Sequence, residues 1–225
     1  TPRESINYHY ERNPKDPRIE QQFTLETDTY GNVTSACQLF LPRRSNPTVH
    51  IPKEQQELSG TLAFNQYLKP PQDYLFCHQA YEKQHFQLFG IDLKGAQYFS
   101  YENIKQQLSN IDVTTGKNVI PYSGDPTSGV QVQRLSWQQS YFWNNELTEA
   151  LDLGKISLLG LVHHHQHAVF DKPFSINIYD GRLINETAYT DQGYLSNVLY
   201  TKGGYFYDET NGYWWNKGLV QNYLN

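Results

Sequence analysis

The residues best suited to chemistry lie in one run, His163-His164-His165-Gln166-His167. In an extended strand successive side chains alternate between faces, so His163, His165 and His167 would share one face and His164 the other. A His-x-His pair on one face can offer zinc two imidazole nitrogens, each about 2.0–2.1 Å from the metal. A catalytic zinc needs a third protein ligand and outer groups that orient the rings. Asp171 is close in sequence, but sequence alone does not place it. The run is therefore read as a polar strand face that titrates at about pH 6.5, and no metal ligand is assigned. Imidazoles that gain charge together would repel and loosen whatever packs on them, so this face could respond to acidification.

Acidic residues are the second candidate. Glu146, Glu149 and Asp152 fall in residues 145–153, read as a helix with Leu147, Ala150 and Leu151 on one face and Gly154 as its stop. Glu146 and Glu149 at i, i+3 make an ordinary solvated face, whereas glycoside hydrolysis needs two carboxyls across a cleft. Gly124 and Gly129 flank Asp-Pro-Thr-Ser without the lysine that a phosphate loop uses. Ser157 lies outside any Gly-x-Ser-x-Gly elbow. Cys77 and His78 are adjacent, so on a strand they point to opposite faces and do not pair. Tyr205, Phe206, Tyr207, Tyr213, Trp214 and Trp215 concentrate aromatic surface that could bind sugar, but such groups more often pack a domain edge. No residue is assigned a catalytic, cofactor-binding or metal-binding role.

The elements that would carry these residues are mainly strands. Aromatic residues make up 15% of the chain, with 18 Tyr, and tyrosine suits strand faces that are dry at one end and wet at the other. Phe23 and Leu25 alternate with Thr24 and Glu26, the period of a half-buried strand. Tyr30-Gly31-Asn32 offers a tight turn, and residues 33–41 resume the strand until Pro42. Residues 43–52 are a proline-containing loop, 53–58 a short helical turn, 61–68 a strand, and Pro70-Pro71 a break. Residues 74–93 read as one or two strands with a bulge or turn near Glu82-Lys83. A short helix is expected over 101–108, capped by Ser100, with Ile104 and Leu108 on one face. Residues 114–129, rich in Gly, Ser, Thr and Pro, read as a mobile loop. Residues 155–170 lean towards strand, and further turns are expected at Tyr179-Asp180-Gly181 and Asn211-Gly212.

Composition bounds the partners. The net charge of −5 and pI of about 5.9 leave no basic face for phosphate backbones; Arg43-Arg44 is the nearest thing to a cluster, so nucleic acid is not expected. The most apolar run, residues 156–162, is far too short to span a bilayer. Cys37 and Cys77 are expected to be free thiols. No leader peptide is visible, and the absence of Met with a Thr1-Pro2-Arg3 start suggests a processed product or a piece of a longer polypeptide.

One family resemblance spans most of the chain. The tract Tyr8-His9-Tyr10-Glu11-Arg12-Asn13-Pro14-Lys15-Asp16-Pro17-Arg18-Ile19, followed by Leu25-Glu26-Thr27-Asp28-Thr29-Tyr30-Gly31-Asn32-Val33, carries it. So do Gln166-His167-Ala168-Val169-Phe170 and the ending Tyr213-Trp214-Trp215-Asn216-Lys217-Gly218. These resemble the middle/C-terminal region of the B component of Tc (ABC) insecticidal toxin complexes. The resemblance implies a mainly β fold: antiparallel strands and hairpins of an Rhs-type (YD-repeat) shell wall, with two or so short helices. It implies residues 1–225 as one segment of a larger toxin subunit, with a sub-boundary expected in the 114–129 loop. The implied role is structural and non-enzymatic, forming the shell that encloses and delivers a cytotoxic C-terminal peptide. The implied partners are the C component and, through the rest of B, the A component, in a secreted complex without direct membrane insertion or cofactor. A carbohydrate- or receptor-binding β module is the alternative, and a glycoside hydrolase the third reading.

Overall fold

In the computed structural model of the chain, the described residues are 2–10, 15–43, 50–69, 78–122, 124–171 and 203–223. The fold is mainly β, a sheet of ten strands, antiparallel but for one two-residue strand, with one helix and a 3-10 turn among the described residues. In chain order these are β1 (Glu4–His9), β2 (Arg18–Thr27), β3 (Val33–Phe40), the 3-10 turn Lys53–Gln55, β4 (Ser59–Tyr67) and β5 (Ala80–Phe89). There follow α1 (Tyr101–Leu108), β6 (Val119–Ile120), β7 (Gln131–Phe142), β8 (Val162–Asp171), β9 (Tyr205–Asp208) and β10 (Tyr213–Lys217). The spatial order is β1-β2-β3-β4-β5-β7-β8-β10-β9, with β6 alongside β7. Strands that neighbour in sequence therefore mostly neighbour in space, as short hairpin connections require.

The chain divides into two compact units: Thr1–Asn65, His85–Ile120 and Asp125–Arg134 form the first, and Gln66–Gln84, Pro121–Gly124 and Leu135–Asn225 the second. In the first unit β2 and β3 pair with Phe23 opposite Cys37 and Glu20 opposite Phe40. Their turn is built by Asp28, whose Oδ1 accepts from Tyr30 N and Asn32 N at 2.9 Å each, while Gly31 takes φ 83°. The left-handed backbone explains the glycine. Phe23, Leu39, Leu62, Phe86 and Val132 stack into one core, each 0 or 1% exposed. The helix α1 lays Tyr101, Ile104 and Leu108 on it. Ser100 caps α1 as read from sequence, its Oγ accepting from Asn103 N at 3.2 Å.

Three expectations need correction. Residues 145–153 are not a helix: Trp143 pairs with Ala150, Asn144 Oδ1 accepts from Thr148 N at 3.0 Å, and Leu147 sits at φ 55°. Asparagine competes for backbone donors with its own side chain, and the result is a turn that breaks the periodic pattern. Glu146, Glu149 and Asp152 therefore share no helix face. Residues 114–129 are more than a loop, because they hold β6, which pairs parallel with β7 (Val119 with Val132). The strand β5 runs through Glu82-Lys83 without a turn, with Glu82, Gln84, Phe86 and Leu88 buried in strict alternation. The turn expected at Tyr179-Asp180-Gly181, the break at Pro70-Pro71, and Cys77 lie outside the described residues.

Cys37 is a free, buried thiol, and desolvation pushes it up to about 12. No helix among the described residues is long and apolar enough to cross a membrane.

Candidate functional site

The histidine run forms half of β8, in the second unit. Strand β7 faces it, with Ser140 opposite His165 and Tyr141 opposite His164. The next pair is Phe142 with Val162, so the register shifts and His163 has no partner of its own. That irregularity is a bulge, which brings two consecutive side chains towards one side. Simple alternation therefore fails here: His163 and His164 lie side by side rather than on opposite faces. Their Nδ1 atoms are 2.7 Å apart, and both are buried, at 7 and 4% exposure.

Aromatic rings hold the pair in place. The Tyr141 ring stacks on His164 at 4.7 Å and 8°, and Trp143 leans on His163 at 4.1 Å between centroids. His165 stands apart, its Nδ1 2.9 Å from Ser140 Oγ, and His167 is exposed. Gln166 reaches across to β7, donating to Gln139 Oε1 at 2.7 Å and to Tyr141 Oη at 3.2 Å. Burial comes first among the causes that lower the affinity of His163, His164 and His165 for a proton. Lys217 adds to it at His163 and His164, and His167 and Lys83 add to it at His165. His164 is lowered furthest, to about 4.

The chemistry this set can do is narrow. Asp171, the carboxylate considered for a ring-orienting role, lies at the far end of β8 opposite Tyr213, and its Oδ2 accepts from Tyr122 N at 2.9 Å. Among the described residues no group of three or more His, Cys, Asp or Glu side chains is arranged to hold a metal ion. The Ser140–His165 contact has the residue types of a nucleophile and base. The charged groups acting on His165, however, are His167 and Lys83, neither a carboxylate, and Ser140 is 6% exposed.

The aromatic ending packs beside this strand. β10 pairs with β8, Trp215 opposite Ala168 and Trp214 opposite Phe170, and with β9, Trp214 opposite Tyr207. Trp214 and Trp215 are 2 and 0% exposed, and Trp137 of β7 meets Trp215 edge-on at 5.0 Å. Trp137 Nε1 donates to Glu82, which also accepts from Gln84. These tryptophans are packing residues and present no open platform to a sugar. Ser140, Tyr141 and Trp143 were not singled out by sequence reasoning. The alternation of Trp137, Gln139 and Tyr141 is the signal that would have marked β7.

Comparison with known proteins bears on the whole chain. Residues 1–91 match the family model of the insecticide toxin TcdB middle/C-terminal region. Over those residues the resemblance read from the sequence is borne out by that match. Two solved structures share the fold. The Photorhabdus luminescens Tc holotoxin pore carrying a TccC3 mutation has 18% identity and a TM-score of 0.65, covering 95% of this chain and 10% of that one. The TcdB2-TccC3-TEV crystal structure has 18% identity and a TM-score of 0.66, covering 99% of this chain and 10% of that one. The chain thus spans about a tenth of the length of those chains. No curated protein matches. The family match thus bears on residues 1–91, and the two structures show the fold that the chain shares with them.

Proposed function

We propose that this chain is a non-catalytic wall segment of a Tc toxin B component, one part of a β shell that encloses and delivers a cytotoxic C-terminal peptide. The observation that carries the reading is the match of residues 1–91 to the TcdB middle/C-terminal region, on a chain whose strands run as a near-sequential antiparallel sheet. Such a sheet suits a wall. Among the described strands its end members, β1 and β9, each pair with a neighbour on one side, β2 and β10 respectively, and an outer side of this kind is where further strands can add. β1 shows five of its six residues exposed. The buried polar face of the second unit is filled by internal hydrogen bonds between Gln139, Tyr141 and Gln166, as suits a structural role.

On this reading residues 1–225 are one segment of a larger subunit, working without cofactor, metal or membrane insertion in a secreted complex. Its partners are the C component and, through the rest of B, the A component. The test is co-expression of the B subunit carrying this chain with its C component, followed by limited proteolysis of the cargo. Wild type should protect the cargo. Phe86→Asp, which places a charge at a core position with 0% exposure, should leave the cargo cleaved, whereas the exposed Lys83→Gln should not. Equal protection by Phe86→Asp and wild type would overturn the proposal.

A further inference from the structure

After β10 the chain stays on the histidine strand. Gly218 N donates to His165 O at 2.8 Å, and Gln221 N donates to His163 O at 2.8 Å. The Trp143 indole N–H fastens the same segment, donating to Gln221 O at 2.9 Å. Gly218 permits this approach, because a Cβ there would stand 2.8 Å from His165 O. Side chains contribute little to the attachment: Leu219 is 95% exposed, and Val220 and Tyr223 are exposed as well. Three backbone-directed hydrogen bonds therefore hold residues 218–221, and all three involve His163, His165 or the tryptophan packed on His163.

Among the described residues, the charges that act on the imidazoles beneath include no anion. Those charges are Lys217 from β10, Lys83 from β5, and the imidazoles of β8 itself, including His167. From β7 they meet the Tyr141 phenol ring and the Ser140 hydroxyl. The carboxylates Asp208, Glu82 and Asp152 act on Tyr141 instead. The 2.7 Å contact between His163 Nδ1 and His164 Nδ1 needs one nitrogen with a proton and one without. When both rings are imidazolium, both nitrogens are donors and the contact becomes repulsive. The arrangement is thus sound only while at least one ring is neutral.

We propose that residues 218–223 form a proton-released strap: acidification charges the histidine pair, splits it, and frees the strap from the backbone of β8. The site has the features such a device needs. Two buried bases share one hydrogen bond, the Lys217 cation acts on both, and the strap itself is weakly anchored. Protonating His164 in the closed state is disfavoured by about 300-fold relative to an ordinary histidine, from its shift between 6.5 and about 4. Release restores ordinary proton affinity, so opening is favoured as pH falls below about 6.5. Freed of the strap, the His163 and His165 carbonyls become open acceptors for an added strand.

The test is hydrogen–deuterium exchange on the full chain between pH 7.5 and 4.5, with rates corrected for the intrinsic pH dependence. Gly218 and Gln221 amides should lose at least tenfold protection on acidification, while β2–β3 amides keep theirs. Lys217→Gln, at an exposed position, removes a cation that depresses the closed-state proton affinity, so it narrows the gap that drives opening and should move the midpoint to lower pH. His164→Phe keeps a ring stacked on Tyr141 and should flatten the response. Constant protection across the range, loss in step with the β2–β3 amides, or a midpoint indifferent to Lys217→Gln would each overturn the proposal.

Discussion

Gln21 lies on the core-facing side of β2, 1% exposed, in line with Phe23 and Leu25. Its amide takes the place of a strand partner for Phe99: Oε1 accepts from Phe99 N at 2.9 Å and Nε2 donates to Phe99 O at 3.0 Å. Phe99 is itself 4% exposed and immediately precedes Ser100, the cap of α1. Gln21→Met keeps length and volume but strips both hydrogen bonds, leaving a buried N–H and a buried C=O unpaired. Each unpaired group costs about 1–3 kcal/mol, and the gain from burying a thioether instead of an amide offsets part of it, so a net loss of roughly 2–4 kcal/mol is expected. Urea unfolding followed by far-ultraviolet circular dichroism would show a lower midpoint at an unchanged slope. Exchange of the α1 amides should rise in parallel. Gln22→Met, on the exposed side of the strand, should stay within about 0.5 kcal/mol of wild type. A loss below about 1 kcal/mol for Gln21→Met, with α1 exchange unchanged, would refute the idea that this amide docks α1 onto the sheet.

Further outcomes are expected elsewhere. Gly90→Ala should destabilise the first unit by about 2 kcal/mol or more, because Gly90 sits at φ 74° and a Cβ would lie 2.0 Å from Gly129 O; a thermal melt unchanged from wild type would contradict this. Arg43→Met should cost about 1.5–3 kcal/mol, since it removes the charge-assisted contact of the guanidinium with Asp16 at 3.0 Å, the two side chains being 13 and 6% exposed; denaturant titration reads the loss. Stability should also fall with acid. Burial first, and neighbouring cations second, hold His164 down to about 4 in the fold. Its contribution is therefore complete above about pH 6.5 and is lost as pH falls, by about 2 kcal/mol at pH 5. Melts of wild type and His164→Phe at pH 7.5 and 5 should diverge accordingly.

What was legible in the sequence was what local chemistry decides. The β2–β3 hairpin follows from alternation ending at Tyr30-Gly31-Asn32, with Asp28 bonding the turn backbone, and α1 follows from its serine cap and the Ile104–Leu108 spacing. The β9–β10 turn follows from Asn211-Gly212, where Gly212 takes φ 75°. Residues 145–153 misled because their helical spacing competes with an asparagine side chain that captures Thr148 N. The histidine geometry was illegible for another reason: whether His163 and His164 oppose or adjoin depends on the register of β7, which is not encoded in β8. Gln21 escaped notice because a glutamine reads as surface unless its backbone partner, 78 residues away, is known. The strap escaped notice likewise, because its donors are backbone groups.

The wall assignment is tested most directly by electron cryo-microscopy of the B–C complex that contains this chain. It requires density for the strands in the order β1-β2-β3-β4-β5-β7-β8-β10-β9 as a continuous part of the shell, with the cargo peptide enclosed by it. A closed, cargo-filled shell with this chain lying outside its wall would contradict it.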